Sequence, residues 1–171
     1  MFGATMAPTT HAGQLHRVLL VLLAAALAIT LLAVAPPAGT QAAAANSDAT
    51  RIVATAKTHY GKPWVLGATG LRSFDCSGFV YRVYEQNGLL AKIGGSRKTA
   101  KGYYNWFRLR GLVSKKNPRV GDLIIWGNAT HIGIYVGNGE AISALTTGVK
   151  RHGVFRVTLP FTAYLRVNIS R

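Results

Sequence analysis

The stretch Ser73–Val80, SFDCSGFV, carries the single cysteine of this 171-residue chain. A lone thiol has no internal disulfide partner, so its chemistry is that of a nucleophile or of a small apolar side chain. Cys76 stands where a Gly-rich loop, residues 64–75, gives way to a helix, which speaks against the apolar reading. Free N–H groups at a helix start favour a sulfur anion. The helix dipole contributes only about 0.3–1 kcal/mol, less than one pKa unit, so an imidazolium has to supply most of the activation. Of the five histidines, His131 is the best placed. It opens HIGIYVGNG directly after the turn GNAT, and a histidine fixed at a strand edge opposite a helix start is the geometry of a Cys–His pair. His59, before GKP, and His152, in a basic strand, are weaker candidates. One cysteine excludes a disulfide framework, an iron–sulfur cluster and a thiolate zinc site. The histidines lack HExxH or any paired spacing, so no metal and no cofactor is expected.

The elements that must position these residues follow from periodicity. A helix is predicted from Ser47 or Asp48, with Ile52, Val53, Ala56 and Tyr60 at helical spacing, ending at Gly61-Lys62-Pro63. A second helix is predicted over Cys76–Asn87, with Gly88 beyond its end, and a third over residues 97–108. The third carries Tyr103, Tyr104, Trp106 and Phe107, read as core rather than as a binding platform. Beyond Asn117-Pro118 the period changes to two. Asp122–Trp126, His131–Val136, Glu140–Leu145, Val149–Val157 and Ala163–Ile169 read as strands, separated by Gly127-Asn128, Gly137-Asn138-Gly139 and Thr147-Gly148. Tight turns mean antiparallel pairing, and the expected class is α+β, with helices first and an antiparallel meander after them.

Residues 1–17 hold one Arg, two His and no acid, and residues 18–35 are apolar apart from Thr30. Pro36-Pro37 and the small-residue run QAAAAN follow, which is the order of a secretory signal cleaved near Ala44 or Ala45. The alternative is an uncleaved membrane anchor. Residues 1–45 are thus read as signal and short linker, and 46–171 as one domain, secreted or wall-associated. The whole chain has a formal charge of +15; without Arg17, 19 basic residues face 5 acidic ones, a balance of +14. Such a charge favours polyanions. Export argues against nucleic acid and leaves anionic wall polymers or lipid. A solvated surface that serves only solubility is the plainer reading. The sequence sets no oligomeric state.

The set GKPWVLGATG, FDCSGFV, VGDLIIW and HIGIYVGNG resembles the NlpC-type bacterial cell-wall cysteine peptidases, in order and spacing, over roughly residues 50–160. The resemblance implies a papain-like core, with a Cys-bearing helix packed on a His-bearing antiparallel sheet. It implies hydrolysis of peptidoglycan stem peptides, typically at the D-γ-glutamyl to diamino-acid bond. Cys76 matches the family nucleophile and His131 the base, while Asp75 and Ser77 match positions lining the substrate site. The family's third polar residue, often His, falls at Ser143; a backbone carbonyl or His152 is the alternative orienting group. Trp64 stands where a substrate-facing Tyr is usual, Leu66 where Trp is usual, and Ala68 where a second Gly is usual. These departures leave two expectations: a cysteine endopeptidase, or a weakly active or non-catalytic wall-binding module of the same fold.

Overall fold

The computed structural model describes residues 47–171. The expected signal and linker therefore lie outside the described residues, among which no helix is long and apolar enough to cross a membrane.

The Ser47 hydroxyl accepts from the Thr50 N–H and caps helix α1, Asp48–Lys57, which buries Ala49, Ile52 and Ala56. The helix stops short of Tyr60: the Thr58 hydroxyl donates to the Thr55 carbonyl, and successive turns carry the chain to Gly61. Helix α2, Cys76–Gln86, starts where the sequence placed it, capped by Asp75, and buries Phe79, Val80, Val83 and Tyr84. A short 3-10 turn, Leu90–Ile93, leads to helix α3, Ala100–Arg108, capped by Thr99. In α3, Tyr103 and Phe107 are buried, and Tyr104 and Trp106 pack against the same core. The aromatic stripe is core.

Six strands follow among the described residues: β1, Val113–Ser114; β2, Leu123–Trp126; β3, His131–Gly137; β4, Glu140–Leu145; β5, Gly148–Gly153; and β6, Phe161–Leu165. They form one antiparallel sheet in the order β1-β6-β2-β3-β4-β5. Only β2 to β5 make the expected meander. Instead of continuing past β5, β6 returns to the far side of β2, and the unforeseen β1 pairs with β6. The reason is the burial of β2, whose four residues are all enclosed, so both of its edges need a ladder partner. Asp122, fully buried just before β2, draws the C-terminal segment to that edge. Its carboxylate accepts from Arg166, Arg171 and the Val167 N–H.

Strand alternation separates two apolar layers. Leu123, Ile125, Ile132, Ile134 and Ile142 meet the helices. Ile124, Trp126, Tyr135, Ala141 and Tyr164 form a second cluster on the other face. The turn at Asn138-Gly139, both at positive φ, pins the β3–β4 hairpin as its Asn-Gly signature predicts. The two-residue connection Thr146-Thr147 pins β4 against β5, with Ser143 opposite Lys150 and Ala141 opposite His152.

Candidate functional site

The helix carrying the thiol is held by its own cap. One Asp75 carboxylate oxygen accepts from the Gly78 N–H at 2.6 Å and the Ser77 hydroxyl at 2.8 Å. The other accepts from the Gly67 N–H at 2.9 Å and from Arg97. Burial pushes the Asp75 carboxyl up, but the Gly78 N–H, Arg97 and Ser77 outweigh it and hold the group below the usual carboxylate range. Gly78 permits the loop to lie this close: a Cβ there would sit 2.0 Å from the Ala68 carbonyl oxygen. Trp64 is aligned by a bridge to Phe74, two residues before Cys76.

Cys76 opens α2 and His131 opens β3, and both line one cavity of about 570 Å³. Trp64, Thr130, Leu145 and Arg156 also line it. Burial pushes the Cys76 thiol up, the Ile132 N–H draws it back, Asp75 raises it, and the N–H groups of Ser77 and Cys76 lower it; the net shift is upward. Ile132 follows His131 directly, so this contact places the sulfur against the start of β3. His131 is 8% exposed, and burial, reinforced by His152, lowers its pKa from 6.5 to about 4. Neither shift favours the imidazolium expected beside a standing thiolate. His131 is buried and Cys76 half-buried, and loss of water favours the neutral state of each.

Behind His131, its Nε2 lies 3.0 Å from the Ser143 hydroxyl oxygen. That oxygen lies 2.8 Å from His152 Nε2, and His152 Nδ1 lies 3.1 Å from the Gly153 carbonyl. Trp126 stands over both imidazoles, with ring centroids 5.4 Å from His131 and 5.7 Å from His152. Its Nε1 donates to the Val154 carbonyl. Gly133 keeps this layer thin, because a Cβ there would lie 2.9 Å from the Ser143 Cβ and 3.2 Å from Trp126.

Of the residues singled out from the sequence, Cys76, His131 and Trp64 line the cavity, and Ser143 sits against His131 from behind. Asp75 and Ser77 lie beside the cavity, buried and engaged with each other and with the start of α2. Sequence reasoning missed Arg97, which pairs with Asp75, Trp126, which packs on the imidazoles, and Arg156, which lines the cavity. The signal for Trp126 was available: it directly precedes the GNAT turn, and a turn of that length sets it opposite His131.

A model of the NlpC/P60 family matches residues 61–163, which include the cap, the thiol, both imidazoles and Ser143. The chain belongs to the NlpC/P60 family. It is 37% identical over 114 residues to a probable endopeptidase of Corynebacterium glutamicum (strain R), covering 66% of this chain and 50% of that protein. It is 38% identical over 101 residues to the probable endopeptidase p60 of Listeria grayi, covering 57% of this chain and 18% of that protein. The chain thus spans half or less of the length of these relatives. Among solved structures, the NlpC/p60 domain of the peptidoglycan hydrolase SagA superposes with a TM-score of 0.54 at 27% identity, over 70% of this chain and 99% of that one. NlpC1 from Trichomonas vaginalis superposes with a TM-score of 0.58 at 30% identity, over 71% of this chain and 45% of that one. The α+β fold of this NlpC/P60 domain is papain-like, with the Cys76 helix packed on the His131 sheet.

Proposed function

We propose that this NlpC/P60 domain is a cysteine endopeptidase that hydrolyses peptidoglycan stem peptides at the D-γ-glutamyl to diamino-acid bond. The observation that carries the reading is the shared cavity of Cys76 and His131, with Ser143 bonded to the far nitrogen of the imidazole. The pair starts neutral. As Cys76 Sγ attacks the amide carbonyl, His131 takes the thiol proton. The resulting imidazolium protonates the leaving amine, and a thioester remains. Neutral His131 then takes a proton from water as it attacks the thioester; the C–S bond breaks, the acid leaves, and the imidazolium returns its proton to Cys76 Sγ. Backbone N–H groups at the start of α2, Cys76's own among them, are suited to the transient oxyanion. Ser143 holds the His131 ring, and Trp64 and Arg156 contact the substrate.

The relatives carry names of endopeptidases, and one solved relative that of a peptidoglycan hydrolase. That supports a site of action in the bacterial wall, reached by way of the N-terminal segment as a secretory signal. The basic surface would retain the domain on anionic wall polymers, and raised salt would release it. A wall-binding module without catalysis is not favoured, because thiol and imidazole share the cavity. Mass spectrometry of purified peptidoglycan incubated with the domain tests the reading. New fragments ending at D-glutamate, absent with Cys76→Ala, are expected; equal cleavage by parent and variant would overturn the mechanism.

A further inference from the structure

The chain of polar atoms behind His131 does not end at Ser143, and it has only one consistent direction. A carbonyl oxygen can only accept, so the bond between His152 Nδ1 and the Gly153 carbonyl places a proton on Nδ1. In a neutral imidazole the other nitrogen is then an acceptor, and burial keeps His152 toward its neutral form. His152 Nε2 must therefore accept from the Ser143 hydroxyl. With its one proton committed, the Ser143 oxygen can only accept from His131, so His131 carries its proton on Nε2. The nitrogen left with a free lone pair is Nδ1, the one needed to take the thiol proton. Were the chain reversed, Ser143 would donate to His131 Nε2 and Nδ1 would carry a proton, useless as a base.

We propose that His152 is a positioning residue which, through Ser143, holds His131 in the tautomer with Nδ1 free for the Cys76 thiol. Two residues thus do together what a single acceptor behind the imidazole would do. The β4–β5 register makes this possible: His152 faces Ala141, two residues along β4 from Ser143, on the same side of the sheet. Trp126 covers both rings, and its own N–H is committed to the Val154 carbonyl, so it offers no competing donor.

The inference rests on the hydrolase reading for its purpose but not for its measurement. Two-bond proton–nitrogen NMR spectra report the His131 tautomer whether or not the protein turns over, and Cys76→Ala is a suitable background. The parent is expected to show His131 protonated at Nε2. His152→Leu removes the acceptor and should mix the two tautomers. Its kcat on stem peptide should fall on the order of tenfold with KM nearly unchanged, far less than the roughly 10⁴-fold loss known when a buried carboxylate is removed from behind a catalytic histidine. His152→Gln, whose amide oxygen can accept from Ser143, should restore the Nε2–H form and most of kcat. Circular dichroism confirms that the variants fold. An unchanged tautomer in His152→Leu, or equal defects in the Leu and Gln variants, would overturn the proposal. A tautomer shift in His152→Leu, together with a parent that cuts no peptidoglycan, would refute the hydrolase reading and support this one.

Discussion

Two buried histidines of this domain share a shift and differ in their partners. His59 sits between α1 and α2, 2% exposed, edge-on to Phe74 and Phe79. Its Nε2 is bonded to Gln86 and its Nδ1 to Lys62, both at 2.8 Å. His131 has Nε2 bonded to Ser143, while its ring borders the cavity that Cys76 shares. Burial lowers the pKa of both. The perturbed titration therefore does not mark the functional group, since structural networks perturb titrations too. What sets His131 apart is a ring nitrogen with no hydrogen-bond partner among the described residues, at a cavity shared with a thiol.

The comparison breaks most sharply in activity. His131→Ala and Cys76→Ala should each lower kcat/KM by about 10³-fold or more, whereas His59→Ala should leave kcat within a few fold. Steady-state assays on stem peptide decide this, and a His59 variant as inactive as a His131 variant would erase the distinction.

Stability against pH sharpens it next. A folded pKa below the unfolded value means that the unfolded chain binds more protons in between. Stability should therefore be full above pH 6.5 and should fall as the pH drops toward 4. The shift of His131 from 6.5 to about 4 corresponds to about 3 kcal/mol. His59 and His152 act in the same direction. Urea unfolding of the parent, His131→Gln and His59→Gln at pH 7 and pH 4.5 measures each share. A pH-independent midpoint in the parent would contradict the buried neutral imidazoles.

In thermal or urea unfolding at pH 7, His59→Ala should cost about 2 kcal/mol, because it empties a buried site against Phe74 and Phe79 and takes the donor from Gln86 and the acceptor from Lys62. Asp75→Ala should cost about 1 kcal/mol through loss of the α2 cap. Arg97→Ala should cost less, since its ion pair is partly exposed.

The smallest effect expected is in thiol reactivity. With its pKa raised, Cys76 should react with iodoacetamide at pH 7 somewhat more slowly than free cysteine, and the rate should climb through the alkaline range. A fast plateau below pH 6 would instead indicate a standing thiolate–imidazolium pair.

Much of this domain was legible in its residues. Asp75 before Cys76 is a capping residue before a 3.6-period run, so the start of α2 could be placed to the residue. Glu140–Leu145 and the Asn-Gly turn before it were read correctly for the same reason: the signals are local. The return of β6 to β2 was not legible, because strand runs specify a partner only through burial and the distant ladder. The engagement of Asp75 by Arg97, 22 residues on, was likewise hidden.

What the sequence determined by itself is the stock of chemistry and the local frame. It supplies one thiol at a helix start, one imidazole at a strand start, and turns that set the hairpin registers. What only the tertiary structure decided is the protonation of that chemistry. Which nitrogen of His131 carries its proton depends on Ser143, His152 and the Gly153 carbonyl meeting in one line. The upward push on the thiol and the downward push on the imidazole depend on how much water the packed sheet and helix exclude. Proton positions follow partners and solvation in space, and neither is a property of residues read one after another.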